Sequence, residues 1–286
     1  MSNNVIDLHS PPAASGASSF DGTSAEGTST LLTFETPLSE RSRTWLRLEE
    51  VFLRTHTYAA RRDAVDHRAA LVSLFDIVDA ATRTDLKTDL LAELERQRAV
   101  WSAQLDNPDV AVEALREFLS DMDAVIHDLH GQIGKIGQHL RDSEWLQSVR
   151  QRSTSPGGAC GFELPMLHSW LQRSDYERKA ELKAWLDPFS PLEEAVLLVL
   201  RLLRESARGT DEIARQGNFH RTLASQRPPL LAHISVDPRH GVVPEVSANK
   251  YTVNVRFLEH RDQFQSGARA ALTTRDVRFR LSLCAL

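Results

Sequence analysis

Tyr251-Thr-Val-Asn-Val-Arg-Phe257 and, further on, Val277-Arg-Phe-Arg-Leu-Ser-Leu283 alternate apolar with polar side chains in strict period two. Successive side chains of a strand point to opposite faces, so this alternation describes half-buried strands with one apolar face. Ala232, Ile234 and Val236, interleaved with His233 and Ser235, repeat it. Upstream the period is different. Val112, Leu115, Leu119, Met122, Ile126 and Leu129 recur at alternating steps of three and four, the seam of an amphipathic helix. The change of period near Gly209 predicts an α+β chain: a predominantly α-helical domain, then a smaller antiparallel β domain toward the C-terminus.

Working outward, Trp45, Leu48 and Phe52 mark a helix with Arg43, Arg47, Glu50 and Arg54 on its opposite side. Leu71, Leu74, Phe75 and Val78 mark a second. Leu86, Leu90, Leu94, Trp101 and Leu105 mark a third, interrupted at Asp106-Asn-Pro-Asp109, where Pro108 is suited to open the next helix. A connection that short predicts an antiparallel hairpin whose heptad seam is an intramolecular core. The pattern thins around Gly131–Gly137, resumes over 141–152 and breaks at the Ser153-Thr-Ser-Pro-Gly-Gly158 turn. Helices follow near 166–172, 175–186 and 191–208, the last apolar nearly all round and therefore the central buried helix. Residues 1–30, rich in Ser, Ala, Gly, Thr and Pro without apolar period, read as a disordered leader. The expected organisation is a leader over 1–30, a mainly helical domain over 31–208 and a β domain over 209–286.

The chain of 286 residues carries 34 Lys and Arg against 39 Asp and Glu, a formal charge of −5, which excludes a protein coated with positive charge. Two cysteines exclude a disulfide scaffold. No secretory signal is present, and the longest apolar run, 195–200, is far below the roughly 20 residues that span a bilayer. The expectation is a soluble cytoplasmic protein without membrane insertion. No metal-ligand spacing or phosphate loop is present, so no cofactor is expected. Cys160, with His168 eight residues on, lacks the surroundings of a thiol nucleophile and reads as structural. Enzymatic readings are weak throughout. Residues 210–223 have the outline of a helix-turn-helix around Gly217, which offers a helical DNA-binding or regulatory protein as the alternative function.

Arginine is concentrated. Between Arg41 and Arg68 there are seven Arg and four acids, and from Lys250 onward seven cations and three acids. Arg256, Arg278 and Arg280 occupy the polar faces of their strands. If those strands are neighbours, the three share one face: a solvated surface, or a site that recognises a carboxylate-bearing peptide.

Several long motifs carry a resemblance. Phe34-Glu-Thr-Pro-Leu38 with Arg43-Thr-Trp-Leu-Arg-Leu-Glu49, Thr88-Asp-Leu-Leu-Ala-Glu-Leu-Glu-Arg-Gln97 and Ile136-Gly-Gln-His-Leu-Arg141 are three of them. The fourth runs from Val149-Arg-Gln-Arg152 through Pro156-Gly-Gly158, Cys160 and Phe162 to His168 and Trp170-Leu171. Together they resemble the bacterial cell division protein ZapD family from about Leu31 to the C-terminus. The resemblance implies a non-enzymatic homodimer that binds the C-terminal tail of the tubulin-like protein FtsZ and bundles its filaments at the midcell ring, with no nucleic-acid partner. It implies a strand and loop, not a helix-turn-helix, over 207–224, and a strand at 31–34 joining the C-terminal sheet. By motif register it implies a basic tail-binding patch of Arg47, Arg83, Arg141, Arg150, Arg152, His168, Lys250 and Arg256. The sequence departs from the family pattern at Glu144 and Thr252, where basic residues are expected.

Overall fold

The computed structural model describes residues 31–82, 85–132, 134–153, 160–223, 228–249, 251–259 and 271–286. The expected leader, 1–30, and most of the Pro-Gly-Gly turn lie outside the described residues. The chain is α+β and divides into two compact units. One is Arg43–Arg201; the other joins the described residues before Arg43 to Leu202–Leu286.

The helices are α1 (Glu40–Ala60), α2 (Ala64–Ala81), α3 (Leu86–Ser102), α4 (Val112–Gly131), α5 (Gln138–Arg141), α6 (Glu144–Ser153), α7 (Pro165–Leu171), α8 (Asp175–Leu186) and α9 (Ser190–Glu205). α2 buries Leu71, Leu74, Ile77 and Val78 completely or nearly so. α3 and α4 form the expected hairpin, closed by an edge-to-face contact of Trp101 and Phe118 at 5.6 Å. Two details differ from expectation. α3 stops at Ser102, so Leu105 belongs to the connection. Pro108 does not open α4, because Asn107 builds its own turn, accepting from the Asp109 amide at 3.1 Å, and the helix starts only at Val112. α8 begins where a capping box of Ser174 and Glu177 satisfies its first amides. α9 ends at Glu205 because Arg208 already pairs in a strand, and its Leu197 is 40% exposed, so the helix is open on one side.

One buried cation ties the helical unit together. Arg178 of α8 donates from Nε to His67 Nδ1 at 2.8 Å, from Nη2 to the Arg62 carbonyl at 2.9 Å, and from Nη1 to the carbonyls of Leu171, at 3.0 Å, and Arg173. Arginine only donates, so His67 Nδ1 accepts and its Nε2–H is free to donate to the Arg61 carbonyl at 2.8 Å. A charge this deep is tolerated because every partner is an acceptor fixed in place.

The second unit is a sandwich of two antiparallel sheets. Its strands are β1 (Leu32–Pro37), β2 (Arg208–Ala214), β3 (Asn218–Thr222), β4 (Leu231–Val236), β5 (Val242–Ala248), β6 (Thr252–Glu259) and β7 (Val277–Cys284), in the orders β1-β4-β7-β2 and β3-β6-β5. β1 pairs with β4, setting Phe34 opposite Ile234. Ile234, Val236, Val277, Phe279 and Leu281 of one sheet face Val253, Val255 and Phe257 of the other, with the Phe257 and Phe279 rings 5.1 Å apart.

Two expectations fail here. The helix-turn-helix outline is instead a strand pair: Arg215-Gln-Gly-Asn218 turns with positive φ at Gln216 (48°) and Gly217 (73°), the geometry of a tight I′ turn. Residues 210–222 are thus strands and not the paired helices that a helix-turn-helix requires. Arg256 shares no face with Arg278 and Arg280. Its strand is in the three-stranded sheet, theirs in the four-stranded one, and both present these arginines on the outer faces, on opposite sides of the sandwich.

On the outer face of the larger sheet, Arg204 grips Glu35 with two bonds of 2.8 Å, and His233 adds a third at 2.9 Å. Burial alone would raise the Glu35 carboxyl, but bonds and charge from Arg204 and His233 outweigh it and hold the group at about 2. Burial pushes the neighbouring Cys284 thiol up to about 12, so it stays protonated. Among the described residues, no helix is long and apolar enough to cross a membrane.

Replacing Arg178 with Met should strand four buried acceptors and lower unfolding stability by on the order of 3 kcal/mol, measured by urea denaturation, with Lys recovering only part. Glu35→Gln should cost about 2 kcal/mol near neutrality. Because the folded group lies below its ordinary value of 4.5, that stabilisation is complete above about pH 4.5 and disappears as pH falls toward 2. Melting curves of parent and variant should therefore converge across that interval.

Candidate functional site

Most of the basic residues singled out in the sequence fall in the helical unit. Arg47 is exposed on α1, Arg141 ends α5, Arg150 and Arg152 lie in the last turn of α6, and His168 is exposed on α7. Arg83 and Lys250 lie outside the described residues. Arg256 belongs to the β unit, where Glu245 sits 3.4 Å from its guanidinium.

The local sequence explains these positions. Gly137 takes a left-handed φ of 75°, and a Cβ there would meet Val78 of α2 at 3.0 Å. Glycine thus lets α5 start directly against α2, so that Arg141 lines an open depression of about 700 Å³ with Thr82, Asp85, Lys87 and Lys135. Three tryptophans lock the next helices: Trp145 of α6, Trp170 of α7 and Trp185 of α8 have ring centroids 5.6 to 6.3 Å apart. The Trp170 indole also donates to Glu181 at 2.6 Å. On this frame Arg150 pairs with Asp79 of α2, and Arg152 pairs with Glu163 at 3.2 Å.

α1 and α2 run antiparallel, pinned by Arg61–Asp66 at 3.2 Å and Arg54–Asp76 at 2.5 Å. Arg47 stands two turns before Arg54 on the same side of α1. It makes no ion pair among the described residues. Arg141, in the depression bounded by Ala81 and Thr82, and Arg150, paired with Asp79, thus both lie at the C-terminal end of α2, with Arg152 following on α6 and His168 on the adjacent α7.

Three residues of this flank escape the sequence reading as site members: Arg54, Asp76 and Asp79. The signal for the two aspartates is a pair of acids at i, i+3 in the mostly apolar second half of α2. Burial raises the Asp76 carboxyl; the Arg54 charge opposes that and the Asp79 charge adds to it. Glu144 lies exposed in the first turn of α6, where an acid suits the helix dipole and a cation would oppose it.

Such a surface is equipped to bind carboxylates through guanidinium forks. His168 sits over the Gly161 backbone, where a Cβ would meet its Nδ1 at 2.9 Å, and Cys160 makes no side-chain hydrogen bond among the described residues. No group of three His, Cys, Asp or Glu among them is placed to hold a metal ion.

A family model described as a cell division protein, ZapD, matches residues 46–256. The chain is similar to the cell division protein ZapD of Azoarcus sp. (strain BH72), at 40% identity over 256 residues, covering 90% of this chain and all of the relative. It is 43% identical to that of Bordetella petrii over 254 residues, 89% of this chain and 99% of the relative. For Dechloromonas aromatica the figures are 42% over 256 residues, 90% and 100%. With a family match across most of its length and relatives covered almost end to end, the chain belongs to the ZapD family of cell division proteins.

Proposed function

We propose that the protein binds the C-terminal tail of FtsZ through the basic flank of its helical unit and, as a homodimer, cross-links FtsZ filaments into the midcell ring. The observation that supports this reading is the placement of Arg141 and Arg150 at one end of α2, with Arg47 exposed on α1 two turns before Arg54, in a chain of net charge −5. Arg152 and His168 extend the surface, and Arg256 with Arg83 and Lys250 would add contacts by family register. A carboxylate on the tail would meet forks held by helices rather than by loops, which limits the entropy lost on docking.

The action is physical. Exposed charge pairs contribute roughly 0.2–1 kcal/mol each, so a single tail binds weakly. A polymer displays many tails, and a two-fold dimer offers two equivalent sites. Engaging both raises apparent affinity by about 10²- to 10⁴-fold when the spacing permits.

Co-sedimentation with FtsZ polymers tests the reading. Full-length FtsZ should be bundled and FtsZ lacking its C-terminal tail should not; equal bundling of both would overturn it. Arg47→Glu should lower bundling severalfold with the dimer intact by sedimentation velocity. Bundling should also weaken as salt rises from about 50 to 300 mM, because exposed pairs are screened over a shorter length.

A further inference from the structure

Asp76 and Asp79 stand one turn apart on α2, so both carboxylates leave the same face. Each is held by an arginine from a different helix. Arg54 of α1 donates to Asp76 at 2.5 Å and to the Ser73 hydroxyl at 3.0 Å, and Arg150 of α6 donates to Asp79. Neither pair is deeply buried: Arg54 and Asp76 are 38% and 50% exposed, Arg150 and Asp79 31% and 56%.

The surface on either side of α2 is concave. Between α1 and α2 lies a depression of about 460 Å³ lined by Arg54, Tyr58, Val65, Arg68, Val72 and Asp76 among others. Between α2 and α6 lies one of about 540 Å³ that includes Val72, Phe75, Asp76, Asp79 and Arg150. Val72 and Asp76 line both, so the two adjoin across α2 and are taken together as one groove. Its apolar lining is Tyr58, Val65, Ala69, Val72 and Phe75, with Val65 79% exposed, and Arg54, Arg68 and Arg150 also line it.

We propose that this groove seats a peptide that is both acidic and apolar, and that Asp76 and Asp79 are resident competitors which make it reject chains that are merely acidic. The inference rests on the tail-binding reading and deepens it. A carboxylate arriving at Arg54 or Arg150 replaces one already there, so it exchanges one charge-assisted hydrogen bond for another. It also meets the negative charge of the displaced aspartate. Exposed pairs differ little in strength, so the exchange is close to neutral. An apolar side chain laid over Val65, Val72 and Tyr58 leaves water without displacing anything, and burying one is worth about ten- to a hundredfold in affinity. Acidic groups then orient the peptide, and apolar groups supply the net gain. The resident aspartates thus set specificity by lowering what charge alone can contribute.

The test uses the full chain and two fluorescent probes of equal charge: the FtsZ C-terminal peptide, and a Glu-Ser peptide without apolar side chains. In the Asp76→Asn/Asp79→Asn variant, the Glu-Ser peptide should bind about tenfold tighter by anisotropy, each freed arginine giving about threefold. The FtsZ peptide should gain less, so the ratio of the two affinities falls. Val72→Ser should do the opposite, weakening the FtsZ peptide and leaving the Glu-Ser peptide unchanged. A double-Asn variant that binds the Glu-Ser peptide no tighter than the parent, or keeps the parental ratio, overturns the proposal. If that happens while Arg47→Glu and Arg150→Glu still weaken the FtsZ peptide, only the competitor role falls. If neither charge reversal affects the FtsZ peptide, the tail-binding reading of this flank falls, and the proposal with it.

Discussion

α2 has two faces, and most of the helical unit follows from that. Leu71, Leu74 and Ile77 are wholly removed from water, which requires other helices to cover them. α6, α7 and α8 all pack against α2. Asp76 and Asp79 leave the uncovered side, so the arginines of flanking helices converge there to pair with them. A polar residue at Leu74 would remove the reason for the neighbouring helices to gather, and with it the surface they make. The basic flank is a consequence of burying the opposite side of one helix.

The same logic decides what was legible in the sequence. β4, β6 and β7 could be read because each buries one face against the opposing sheet, and period two follows. β2 and β3 escaped a direct reading. Their inward positions include Glu212 and Arg221, which pair with each other, so alternation is lost although the strands are real. The outline of a helix-turn-helix arose from the same residues, since a turn glycine is needed by either structure. α8 spans Asp175–Leu186 as the sequence reading has it, and its start carries a local signal, the Ser174–Glu177 box. Pro108 misled because an Asx turn at Asn107 competes for the same backbone, and single-sequence patterns do not decide that contest.

The site was legible to a smaller degree, for a physical reason. Arg47, Arg141, Arg150 and Arg152 can be singled out by motif register, yet which of them meet depends on helix packing. Arg150 and Asp79 are 71 positions apart, and only the placement of α6 on α2 brings them together. Arg256, Arg278 and Arg280 illustrate the reverse. Their alternation correctly assigned each to an outer face, but strand order, which no local pattern encodes, put them on opposite sides of the sandwich.

Charge totals hide this arrangement because arginines and carboxylates are largely matched at short range. Arg54, Arg61, Arg150, Arg152, Arg173 and Arg215 all have acidic partners. A cation already paired contributes little long-range field, so a ligand gains from it only at contact and only by exchange. That keeps single-site affinity low without removing the binding geometry. If the protein joins polymers as proposed, low single-site affinity is an advantage. A cross-link built from weak contacts releases one tail at a time, so filaments can slide and rearrange, while the number of tails keeps the assembly together. Strong, unpaired cations would bind any acidic chain and would hold each filament too long. On the proposed reading, the carboxylates on α2 belong to the binding surface as much as the arginines do.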